Sequence, residues 1–209
     1  MGAASRWWLH HSLLALSESL GGKLLVLSGD PAVLLPSLAQ TVNAQSVHWN
    51  RCYEPWRIAR DKGIKEALQS DEIEVHSHNG ALLWEPWQVL KKDQTPYQVF
   101  TPYYRRGCLS ATAPRTPLQA PAPLNLIDAE IPPTFRDNMG ERGIIALGLL
   151  PNIPWDRTMQ STWQIGEAAA RARLEEFLNV GLDDYKQGRN FPERPNVSRL
   201  SPRLHFGEI

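Results

Sequence analysis

The sequence predicts an α/β fold, a doubly wound parallel sheet, followed by a proline-rich connector and the first helices of an all-α region. Three observations carry this. Short apolar or alternating runs interleave with amphipathic helical stretches through the first half of the chain, the pattern of a parallel sheet with crossover helices. Pro114, Pro117, Pro121, Pro123, Pro132 and Pro133 then punctuate one span, too closely for an uninterrupted helix of ordinary length. Beyond them, apolar residues return at helical spacing.

The first helix is expected from Arg6 to about Leu20. Ser5 is a suitable cap, and Leu9, Leu13, Leu16 and Leu20 line one face. Gly21 and Gly22 end it. Leu24–Leu27 is short and wholly apolar, as in a strand buried on both faces. Ser28 to Pro31 reads as a turn. Ala32–Asn43 reads as a helix with Leu34, Leu35, Leu38 and Val42 on one side, although Pro36 works against it. Ser46–Trp49 is a second strand candidate. Glu54 to about Gln69 is a charged helix. Glu72–His76 alternates, with Ile73 and Val75 on one face, and suggests a third strand. Because the chain opens on a helix, the first strand of such a sheet is expected to be missing from it. After the connector, Ala170, Leu174, Phe177 and Leu178 define an amphipathic helix, with Arg171 and Glu175 as an exposed i, i+4 pair.

Composition narrows the function classes. The 209 residues carry 22 Lys+Arg and 22 Asp+Glu, so net charge offers no bulk argument for nucleic acid. Cys52 and Cys108 have no metal or redox spacing, which suits free thiols in a reducing, cytoplasmic setting. There is no signal peptide pattern, and the apolar stretch Ile144–Leu150 falls far short of a membrane span. Eight tryptophans are unusual; core and interface packing accounts for most of them. His76 and His78 share a strand face, but no carboxylate or cysteine completes a metal set. They read as surface histidines at a strand end, and His10-His11 as helix surface plus interface. No Gly-x-Gly-x-x-Gly or P-loop is present. No nucleophile–base constellation can be assembled, so no catalytic residue and no metal ligand is named.

The last residues carry the chemistry. Ser201 is a candidate N-cap with Pro202 at the first helical position. Ser198, Arg199 and Ser201 crowd this turn, where amide and hydroxyl donors suit an anion. A helix starting there has few residues left before Ile209 and needs packing from elsewhere, so the chain reads as a piece of something larger.

With Tyr185, Arg189, Phe191 and Pro192 upstream, the pattern is Tyr-x3-Arg-x-Phe-Pro-x5-Ser-Arg-Leu-Ser-Pro-x-Leu-x-Phe-Gly-Glu. It resembles the opening of the flavin-binding helical domain of the DNA photolyase/cryptochrome family. Ser5–Ser12, Trp49–Trp56, Asn79–Trp87 and Pro96–Arg105 resemble bacterial class I photolyase segments in the same order. The resemblance implies a Rossmann-like antenna domain over residues 1–113, a connector over 114–133 and the start of an FAD-binding domain over 134–209. It implies FAD contacts by Tyr185, Ser198, Arg199, Leu200 and Ser201. Many relatives have Thr where Val197 stands, so one hydroxyl is lost here. It implies an antenna chromophore, methenyltetrahydrofolate or deazaflavin. Folate-using members often carry an Asn-Glu pair near the position of Trp56-Arg57, and this chain lacks both. The segment Thr101–Arg105 is then structural and not a base-stacking surface. The implied activity is light-driven splitting of cyclobutane pyrimidine dimers in UV-damaged DNA, with the DNA-binding residues after Ile209. A cryptochrome-like photoreceptor and a free-standing nucleotide- or pterin-binding module are the alternatives.

Overall fold

The computed structural model describes residues 1–119, 121, 124–126 and 143–209. Much of the expected connector, and the 133/134 boundary, lie outside the described residues. The chain divides into two compact units that do not follow chain order: Met1–Gly29 with Asp128–Ile209, and Asp30–Ile127.

In the Asp30–Ile127 unit, helix α2 (Pro31–Thr41; α1 is in the other unit) starts where Asp30 accepts the Ala32 N–H at 2.9 Å. Pro31 falls in the first turn, where its missing N–H leaves no gap. The helix runs through Pro36. Strand β1 (Ser46–Asn50), helix α3 (Pro55–Ser70) and strand β2 (Glu74–His78) follow. The strands pair in parallel with Val47 opposite Val75 and His48 opposite His76, so α3 is a β–α–β crossover. Alternation puts Val47, Trp49 and Val75 on one face, packed against Ala39, Ile64, Leu68 and Ile73. Leu68 is fully buried. A one-turn helix, α4 (Phe100–Pro102), continues as a π turn over Tyr103–Gly107, so Thr101–Arg105 is local helical scaffold.

β2 begins at Glu74, two residues later than the Glu72 expected. Helix α3 ends in a paired 6→1 and 5→2 closure: Ile73 N donates to Leu68 O and Glu72 N to Gln69 O, with Glu72 at φ 61°. α2 ends the same way, through Ala44 N to Ala39 O and Asn43 N to Gln40 O, with Asn43 at φ 50°. The backbone that alternation assigned to a strand is used to terminate a helix.

The other unit opens with helix α1 (Ala3–Ser19), capped by the backbone of Gly2; Ser5 lies inside the helix and is not the cap. Gly22 N to Ser17 O and Gly21 N to Glu18 O close it, with Gly21 at φ 62°. The predicted leucine stripe is not the buried face, since Leu16 is 46% exposed while Trp7, Trp8 and His10 are buried. Indoles remove more apolar area from water than leucines, and they win the interior. His10 is therefore interior, not surface. Leu24–Leu27 is half-buried and forms no strand. Among the described residues the sheet has only β1 and β2. A run suited to burial on both faces needs neighbours to take its N–H and C=O groups.

A 3-10 turn over Gly143–Leu147 precedes helices α5 (Arg157–Thr162), α6 (Glu167–Glu176), α7 (Tyr185–Gly188) and α8 (Ser201–Phe206). α6 continues into a π turn over Phe177–Gly181. Arg171 pairs backward with Glu167 rather than with the expected Glu175, and Arg173 pairs with Glu176. Glu167 sits in the first turn of α6, where the helix dipole adds to its fit.

Candidate functional site

Two places offer groups for ligand chemistry. The first is the Ser198–Ser201 turn. Helix α8 starts at Ser201, so Leu200 takes the cap position and Pro202 the second helical position. The expected Ser201 side-chain cap is absent, because Ser201 already belongs to the helix. Its hydroxyl is exposed, as is Arg199. Arg199 sits at φ 54°, a left-handed conformation that costs an ordinary residue about 1 kcal/mol. Ser198 Oγ accepts the Leu200 N–H at 3.4 Å and keeps its own proton to donate.

Tyr185 begins α7. Its hydroxyl accepts from Arg189 Nη1 at 3.1 Å, that guanidinium lies 5.1 Å over its ring, and the ring meets Phe177 edge-on. Among the described residues, no hydrogen bond joins Tyr185 to the Ser198–Ser201 turn. The intervening chain is fixed by Asn196, whose buried amide donates to Gly181 O at 3.1 Å. Any Cβ on Gly188 would clash with the Asn196 side chain.

Helix α8 is anchored by groups that sequence reasoning missed. Arg203 and Glu208, each about 4% exposed at the side chain, approach within 3.6 Å. Trp8 Nε1 donates to Glu208 Oε1 at 2.9 Å, and Arg203 donates to Gln164 O at 2.8 Å while lying over the Trp8 ring. Burial lowers the Arg203 pKa, Glu208 opposes that, and the Arg173 charge adds to the lowering. Trp8 also meets Trp163 and Phe206. Arg203 and Glu208 are both surface types by composition, and their bonds to Gln164 and Trp8 cross long stretches of chain, so no local pattern marks their burial.

The second place is at the carboxyl ends of β1 and β2, where open α/β sheets take ligands. A cavity of about 920 Å³ is bordered by Asn50, Arg51, His78, Asn79, Glu85 and Arg115, among others. Glu85 is 7% exposed. It accepts from Arg51 Nε at 2.7 Å and from the Tyr53 hydroxyl at 2.8 Å, while Arg51 Nη1 donates to Ser77 O. The bond to Glu85 raises the Arg51 pKa, and burial, then the same carboxylate, raises that of Tyr53. Tyr53 thus stays a neutral donor. Glu85 lies inside the Asn79–Trp87 motif, and that motif was the available signal. Glu54 is instead exposed beside Arg57. Trp56 is an exposed ring with the Arg57 and Arg60 guanidinium groups over it at 5.1 and 5.5 Å.

On the exposed sheet face, His48 stacks with His76 and His78, and His48 Nδ1 lies 3.0 Å from His78 Nε2. Among the described residues, no group of three or more His, Cys, Asp or Glu could hold a metal ion. No helix among them is long and apolar enough to cross a membrane.

The family model described as DNA photolyase matches residues 1–123. The chain belongs to this family. Along its whole length it is 38% identical to the deoxyribodipyrimidine photo-lyase of Agrobacterium fabrum, of which it covers 43%. It is 32% identical to cryptochrome-1 of Arabidopsis thaliana, of which it covers 30%. Among solved structures, a bacterial class III photolyase from Agrobacterium tumefaciens superposes over the whole chain with a TM-score of 0.78 at 36% identity, the match covering 42% of that chain. A Synechocystis cryptochrome gives 0.70 at 25% identity and 43% coverage. The photolyase among these structures is of class III, whereas the motifs suggested class I. The chain thus spans less than half the length of these relatives, and the likeness bears out the α/β fold.

Proposed function

We propose that this chain forms the antenna domain and the start of the flavin domain of a light-dependent DNA repair flavoprotein, with UV-damaged DNA as partner. The observation that carries the reading is the match to a deoxyribodipyrimidine photo-lyase along the whole chain, ending in the Ser198–Ser201 turn. In this reading residues 1–113 make up the antenna domain, 114–133 the connector and 134–209 the first part of the flavin domain. The free thiols Cys52 and Cys108 suit a cytoplasmic setting.

FAD, when bound, supplies the light-driven electron transfer that splits a cyclobutane pyrimidine dimer. The chain's own part is to hold and orient it. The Ser198 and Ser201 hydroxyls donate to its diphosphate, Arg199 supplies positive charge, Leu200 gives an apolar contact and the Tyr185 hydroxyl a further polar one. Anion recognition by short donors at a turn is what such residues do well. The antenna chromophore, methenyltetrahydrofolate or deazaflavin, belongs to the α/β unit. There the Arg51–Glu85–Tyr53 network at the carboxyl ends of the strands offers a fixed carboxylate and a neutral donor.

A cryptochrome-like photoreceptor is the second reading, favoured by the 32% identity to a plant cryptochrome along the whole chain. Thymine-dimer DNA mixed with the full-length protein, reduced flavin and blue light separates the two. Restored thymines support repair. A protein that binds FAD and responds to light yet leaves dimers intact is the photoreceptor.

A further inference from the structure

The Ser198–Ser201 turn has a single long internal side-chain bond, Leu200 N–H to Ser198 Oγ at 3.4 Å. One side chain from another helix grips it. Arg173 of α6 donates from Nη2 to Val197 O at 2.7 Å and from Nε to Ser198 O at 2.9 Å. Its third nitrogen, Nη1, pairs with Glu176 at 2.7 Å. All three nitrogens are engaged, and the side chain is 18% exposed. A planar guanidinium fixes two acceptors at a set angle, which the point charge of a lysine cannot do.

The grip falls just before the left-handed Arg199. Ser198 keeps its own hydroxyl proton to donate, and Arg199 and Ser201 are exposed. Arg173 is close enough to Arg203 to lower its pKa, and each guanidinium has its own carboxylate, Glu176 and Glu208.

We infer that Arg173 is a positioning residue for diphosphate recognition. It presents the Ser198–Ser201 hydroxyls to the flavin's phosphates without touching the flavin. This rests on the flavin reading above and adds a residue the family motif does not contain. Its role separates from that of a plain strut by ligand chemistry. FAD carries the diphosphate and riboflavin does not, so a strut that holds up the whole unit affects both ligands alike.

The test titrates FAD and riboflavin into the full-length apoprotein, as parent, Arg173→Met and Arg173→Lys, with thermal melts alongside. With two charge-assisted bonds lost, Arg173→Met is expected to weaken FAD about tenfold while riboflavin stays within about twofold. Arg173→Lys keeps the charge without the fork and is expected to weaken FAD about threefold. The lysine variant decides the matter if the methionine variant does not fold. If the parent binds FAD no more tightly than riboflavin, the phosphate-site reading falls and takes this inference with it. If the parent prefers FAD and the folded variants keep that preference, or if both ligands weaken together, the inference alone is wrong and Arg173 is a strut.

Discussion

On the packed face of the sheet, the buried cluster is aliphatic: Ala39, Ile64, Leu68 and Ile73, with Val47 and Val75 against them. In the unit that carries the C-terminal turn, the buried set includes Trp7, Trp8, His10, Asp156, Asn196, Arg203 and Glu208. One region is closed by area, the other by rings, ions and directed hydrogen bonds. The two respond differently to damage. An aliphatic core loses contacts in proportion to the atoms removed. A buried ionic network leaves an uncompensated charge behind when one partner goes.

The largest effect is therefore expected at Arg203. Arg203→Ala strands Glu208, whose carboxylate also accepts from Trp8, and is expected to destabilise by about 4 kcal/mol. Arg203→Met with Glu208→Leu, which removes both charges, should recover much of that loss. Urea denaturation of the single and double variants measures it. A single variant within about 1 kcal/mol of the parent would mean that the pair is solvated and the comparison fails. Leu68→Ala comes next, at about 3 kcal/mol, because Leu68 is fully buried in the aliphatic cluster. Hydrogen exchange on the same variants should place the loss in residues 30–126 for Leu68 and in the C-terminal helices for Arg203.

A smaller difference appears with pH. Burial lowers the pKa of His10, and burial together with His10 lowers that of His11, against a raising influence of Asp156. The unfolded chain then binds protons near pH 6.5 that the folded unit resists. Stability is full above that pH and is lost as pH falls through 6.5 toward the lower folded values. His10→Phe should flatten this acid-side loss in a series of melts, and an unchanged slope would remove His10 from the account.

The same contrast explains what the sequence made legible. β1, α2 and α3 are local events: an Asp cap, a period of 3.6 or 2, and proline at a first turn. Their ends fell within one or two residues of expectation. The Ser198–Ser201 turn before a short helix was legible from Ser-Pro at its end, and Glu85 could have been found within the motif Asn79–Trp87. Arg173, Arg203 and Trp8 could not, since each makes a defining hydrogen bond to a partner at least 24 residues away. Leu24–Leu27 misled for a related reason. Its apolar run describes a strand only when other strands flank it, and composition says nothing about flanking.

The last prediction tests the local side at its one conflict. Among the described residues, α1, α2 and α3 end in the paired 6→1 and 5→2 closure with a left-handed residue: Gly21, Asn43 and Glu72. Glycine pays no steric penalty there and asparagine little, but Glu72 has a Cβ and no local bond that favours φ 61°. The motif forms anyway because Ile73 must reach the aliphatic cluster, and burying it outweighs the strain. If so, Glu72→Gly relieves strain without touching the core, and its gain exceeds the added chain entropy of glycine when unfolded. An increase of about 0.5 kcal/mol in unfolding free energy is expected. Asn43→Gly, already near its ease, should change stability by less. Equal effects at the two positions would mean that the left-handed residues are set by the tertiary contacts around them and that the helix ends are not local events after all.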